Sequence, residues 1–158
     1  MTLPVYERIM ALMAERVARC TPANGYEFEV TAVLRRKIGD TPAYLPGTVE
    51  LTLDTITRIT GIDAGLSPWV ECQAEIKVSI SVPASATGDP VESTCAVAER
   101  DVHAAIGVED RLGLCDLLTL DAINRYEGVP GEVAGMSLTY SANFMMNEYD
   151  LTKGRTDG

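Results

Sequence analysis

Between Glu71 and Pro83 apolar and polar residues alternate without a break. Cys72, Ala74, Ile76, Val78, Ile80 and Val82 take one set of positions, and Gln73, Glu75, Lys77, Ser79 and Ser81 take the other. Side chains of an extended chain project to opposite faces with period two. The run therefore predicts a long strand with one dry face and one polar face, and its β-branched content suits that conformation. A dry sheet face has to be covered, so the rest of the chain must supply a second layer.

Two segments carry the helical period that such a layer needs. Val5, Ile9, Leu12, Met13 and Val17 form one apolar stripe and predict a helix from about Val5 to Arg19. Val91, Cys95, Ala98, Val102 and Ala105 form another, predicting a helix from Asp89 to about Ile106. Asp89 stands as its N-cap, Pro90 at the first helical position and Glu92 three residues after the cap. Three further strands are expected. Tyr26–Arg35, opened by a tight Asn24-Gly25 turn, would turn Tyr26, Phe28, Val30, Ala32 and Leu34 inward. Thr48–Asp54 would bury Val49, Leu51 and Leu53. Met136–Met146 would bury Met136, Leu138, Tyr140, Ala142, Phe144 and Met146.

Residues 55–68, with Ile56, Ile59 and Ile62, read as a loop, a strand extension or a helical turn, and 114–127 fits neither period. The second of these reads equally as a bulged strand or a short helix. Val129-Pro130-Gly131 reads as a turn, and Thr152–Gly158 as a frayed polar tail on a single domain. The predicted fold is α+β: a mixed, mainly antiparallel sheet of four to five strands, packed by an N-terminal helix and a crossover helix. Short connections favour antiparallel neighbours, and the crossover helix is placed to join two parallel strands.

Lys and Arg number 13 against 23 Asp and Glu, a formal charge of −10. Such a chain is repelled by nucleic acid outside a local basic patch. Arg35, Arg36 and Lys37 form the one short basic cluster. No apolar run reaches the roughly 18 residues of a membrane helix. Glu7, Arg8 and Glu15 stand where a signal peptide would be apolar. Four cysteines (Cys20, Cys72, Cys95 and Cys115) include no CxxC pair, and His103 is the only imidazole. A zinc site is not expected, and the thiols read as reduced, small hydrophobes. Nucleophile-elbow, zinc-protease, Walker and dinucleotide fingerprints are missing. His103 beside the apolar stripe reads as a partly exposed surface histidine, and Cys115 next to Asp116 as a partly buried thiol. No enzyme activity, cofactor or metal is therefore expected.

Ser79, Ser81, Ser137, Thr139, Ser141 and Asn143 make the polar sheet face small and uncharged, which suits close approach by another chain. Trp69, after Pro68, reads equally as a core anchor or an interface anchor. Exposed strand edges are pairing templates as well. The N-terminal helix, the Thr21-Pro22-Ala23-Asn24-Gly25-Tyr26 junction, the 71–83 strand, the helix opened by Asp89-Pro90 and the closing Met136-Ser137-Leu138-Thr139-Tyr140 together resemble the tail terminator (tail completion) proteins of long-tailed bacteriophages. The resemblance implies a structural virion protein at the head–tail joint, made in the host cytoplasm. It would self-associate into a hexameric ring, cap the tail tube, meet the head connector, and let DNA pass without specific binding or any membrane contact. Arg35, Arg36, Lys37, Trp69, Ser79, Ser81, Thr139, Ser141 and Asn143 are then the interface candidates. Glu27, Glu29, Glu50 and Asp54, on outward strand faces, are the candidates for a phosphate-repelling channel wall. The alternatives are another phage neck or minor tail adaptor, or a small cytoplasmic ligand-binding protein or enzyme.

Overall fold

The computed structural model describes residues 2–36, 45–59, 68–83, 91–129, 132–147 and 149–154. Helix α1 spans Val5–Ala18 and buries Val5, Ile9, Met10, Met13 and Val17. Each such side chain removed from water contributes about 1.5–3 kcal/mol. Met10, outside the predicted stripe, joins the core, whereas Leu12 is only half-buried. The first helical amides lack intrahelical acceptors. The Val5 N–H donates to the Leu151 carbonyl at 3.0 Å, and the Arg8 guanidinium donates to the Thr152 carbonyl at 2.8 Å. Residues 152–154 are thus docked, not frayed: Gly154 is buried and bridges Met146. Residues 155–158 lie outside the described residues.

The junction after α1 is the expected tight turn. Pro22–Asn24 is a 3-10 turn closed by Gly25 at φ 90°, a left-handed conformation that glycine adopts without a side-chain clash. The Asn24 amide donates to the Arg19 carbonyl at 2.8 Å, closing the helix end. Residues 26–31, bent at Glu27 and Phe28, do not form the expected strand start, because their amides are engaged elsewhere. Glu27 and Phe28 donate to the Asp101 carboxylate at 2.8 and 2.9 Å. Val30 donates to the Cys20 carbonyl and Thr31 to Gly47. Strand β1 is only Ala32–Arg35. Its inward residue is Val33, and Ala32 and Leu34 are exposed, which inverts the predicted face.

Strand β2, Thr48–Arg58, outruns its prediction because the ladder absorbs one extra residue between Leu53 and Thr55. That bulge residue is Asp54. Strand β3, Trp69–Pro83, keeps the predicted alternation, with Cys72 to Val82 buried on the helix side. Helix α2, Val91–Ile106, buries Cys95, Ala98, Val102 and Ile106. Its predicted cap, Asp89-Pro90, lies outside the described residues. A 3-10 turn over Val108–Gly113 leads to strand β4, Leu117–Val129, and then β5, Val133–Asn147. The segment 114–127 is therefore the bulged strand of the two readings. Leu118 and Leu120 face inward, Asp121 is the extra residue, and Ile123 resumes the inward register opposite Leu138. One inserted residue reverses the parity, which is why neither period fitted. In the turn after β4 the Glu132 N–H donates to the Val129 carbonyl, and Pro130 and Gly131 are outside the described residues.

The five strands form one sheet in the order β1-β2-β3-β5-β4, the expected α+β fold with a mixed, mainly antiparallel sheet. The parallel pair is β1 with β2, not a pair joined by the helix. Residues 36–47 connect these two strands, a length that a parallel crossover needs, and 37–44 lie outside the described residues. Helix α2 does link two strands of like direction, β3 and β4, but β5 inserts between them and is antiparallel to both.

Candidate functional site

The face of the sheet opposite α1 and α2 is organised in rows that cross the strands. Leu34, Glu50, Ser79, Ser137 and Asn124 form one row, and Thr52, Lys77, Thr139 and Ala122 another. Its centre is polar but dry: Thr48, Glu50, Thr52, Ser79, Ser81 and Ser137 are all buried. The Tyr126 ring lies on Gly135, occupying the space a Cβ would need. Ser79 and Ser81 therefore do not present the accessible surface expected of them. Thr139, Ser141 and Asn143 are half-buried. Asn143 accepts from the Gln73 amide at 3.2 Å, and Ser141 donates to Asp121.

The expected channel carboxylates separate. Glu50 is 5 % exposed, with a carboxylate oxygen 3.2 Å from the Arg36 guanidinium. The outward-facing expectation for Glu50 is corrected: period two gave the face, but that part of the face is not in water. Burying the charge requires the cation beside it. Asp54, the bulge residue, is half-buried 3.5 Å from the Lys77 ammonium. Glu27 is exposed but sits on the helix side, paired with Arg100 of α2 at 3.1 Å. Glu29 is exposed in the same segment.

Among the basic candidates, Arg35 is exposed on the sheet edge and bonds Glu7 of α1 at 3.2 Å, while Arg36 serves Glu50. Lys37 lies outside the described residues. Trp69 is half-buried at the first position of β3, opposite Asn147.

The feature that sequence reasoning missed is the β4 edge. Strand β4 is terminal in the sheet, and among the described residues no backbone hydrogen bond reaches its outer side. Two large apolar side chains stand on it in water: Leu117, 49 % exposed, and Ile123, 47 % exposed. The strand is held in place from behind. Arg125 makes two hydrogen bonds, at 2.8 and 2.9 Å, to the Glu99 carboxylate of α2. The only sequence signal was the unassigned apolar cluster Leu117, Leu118, Leu120 and Ile123.

Elsewhere the side chains with chemical potential are occupied structurally. His103 Nδ1 lies 2.8 Å from the Tyr140 hydroxyl, and the rings stack. Burial raises the Tyr140 phenol well above its ordinary value. Ultraviolet titration of the folded protein is expected to show no Tyr140 phenolate at pH 11; an ionisation at the ordinary value near 10 would contradict that burial. Burial likewise pushes the Cys20 and Cys115 thiols up to about 11, which keeps them protonated at neutral pH. The Cys115 Sγ donates to the Arg111 carbonyl at 2.9 Å. Cys72 and Cys95 are buried and raised for the same cause.

No protein-family model and no curated protein sequence matches this chain.

Proposed function

We propose that this chain is a structural subunit of a phage tail, a tail terminator that closes into a hexameric ring at the end of the tail tube. The carrying observation is the long open edge of β4 with Leu117 and Ile123 exposed on it. A long, apolar, unpaired edge is a hazard that proteins cover or use; a ring uses it. The reading is also supported by the order α-β-β-β-α-β-β, which follows the resemblance noted in the sequence, and by the half-buried Thr139, Ser141 and Asn143 of the polar face.

In this role the chain performs no bond-making. Its copies would cap the tube, stop its growth and present the opposite surface to the head connector. The acidic surplus of the chain repels phosphate, so DNA passes without sticking. Exposed Glu29, Glu27 beside Arg100, and Asp54 beside Lys77 are the carboxylates still available to such a channel, and Glu50 is not.

Electron microscopy of the purified protein mixed with tail tubes tests this reading. Rings of six copies at tube ends are expected. A protein that stays monomeric and binds neither tube nor head connector overturns it.

A further inference from the structure

The sheet has two terminal strands, β1 and β4, and they complement each other. Following the pairing across the sheet, β1 is parallel to β2, β2 antiparallel to β3, β3 to β5, and β5 to β4. Strands β1 and β4 therefore run in opposite directions. A second copy placed by rotation about an axis along the strands keeps every strand direction. Its β1 then meets β4 of the first copy as an antiparallel pair, the more stable arrangement.

The two edges also stand at the same height. Leu34 and Asn124 end the same row, and Arg35 is level with Ile123. Both edges carry an exposed apolar side chain here, Leu34 at 43 % on the face away from the helices and Ile123 at 47 % on the helix side, so in a joined sheet Leu34 stands beside Asn124 and Ile123 beside Arg35. Asp121 of β4 and Asp116 just before it are exposed, and Arg35, exposed at the end of β1 beside Glu7, carries the opposite charge.

We infer that the open edge of β4 docks on the β1 edge of a second copy of this chain, extending one sheet from subunit to subunit. The contact is heterologous, so each copy keeps one free edge of each kind until rotation closes the ring. A two-fold β4–β4 contact would stop at a dimer. The inference rests on the premise of self-association in the ring reading and supplies its subunit contact.

Oxidative cross-linking tests it. Leu34→Cys is combined, in one chain, with Ala122→Cys, Asn124→Cys or Tyr126→Cys, the positions of β4 that share its face. The native thiols are buried and serve as background in the unmodified protein. At least one double variant is expected to give a ladder of multiples of 17.0 kDa on a denaturing gel, while each single variant runs as the monomer. Ile123→Lys, with unchanged circular dichroism, is expected to shift the sedimenting species to the monomer mass. Three double variants without a ladder, or a covalent dimer from a β4 single variant, overturn the inference. If the ladder forms but the assembly ignores tail tubes, the contact stands and the tail-terminator reading falls.

Discussion

Phe144→Ala is expected to lower the unfolding free energy by about 3–5 kcal/mol, the usual cost of emptying a fully buried aromatic site. Phe144 is 1 % exposed on the helix side of β5, opposite Cys72 of β3. Cys72 belongs to a ladder that runs the length of β3 and β5, so the site has little freedom to collapse around the void. Domains of this size are stable by only about 5–15 kcal/mol, so the variant loses a large share of the total. The melting temperature should fall by about 6–20 °C. In urea the midpoint should drop with an unchanged slope. A loss under about 1 kcal/mol would mean that Phe144 is not packed as described.

Asp101→Ala is expected to cost about 2–4 kcal/mol, because it strands two backbone N–H donors and one guanidinium partner. The Asp101 carboxylate sits on α2 and accepts from Glu27 N–H, Phe28 N–H and Arg100 Nε. It ties the segment 26–31 to the helix layer. Burial alone would raise its pKa. The hydrogen bonds from Arg100, Phe28 and Glu27 outweigh burial and hold the carboxyl below its ordinary value. The sign of the pH dependence follows. Above the unfolded value, about 3.9, the folded chain keeps the carboxylate at no proton cost, and its stabilisation is complete. Below it the unfolded chain binds a proton that the folded one refuses, and the stabilisation is lost as pH falls through the folded value. Asp101→Asn keeps the shape and removes the charge. The gap between wild type and Asp101→Asn in urea unfolding should therefore be constant from pH 7 to about 5 and shrink below about pH 4. A gap that stays constant down to pH 2 would show that the charge contributes nothing.

These two residues mark the limit of what was legible in the chain. Phe144 was assigned to the core from period two alone, as were Cys72 to Val82 and the other inward residues of β5, because a long uninterrupted alternation admits one arrangement of its faces. The helix stripes were legible on the same ground. Asp101 and Glu99 were not. They lie outside the apolar stripe of α2, and the docking of 26–31 and of Arg125 makes them buried acceptors. Strands β2 and β4 were cut short or left open, because Asp54 and Asp121 each insert one residue and reverse the parity of everything after them.

The amino-acid sequence by itself determined the layer structure, since the periods of 2 and 3.6 are local properties of the backbone. It determined equally which face of each of the two long strands is apolar. The tertiary structure alone decided strand order, the parallel pairing of β1 with β2, the burial of Glu50 beside Arg36, and the open edge of β4. Those depend on which segments meet across long stretches of chain, and a residue's local period carries no record of its neighbour in space.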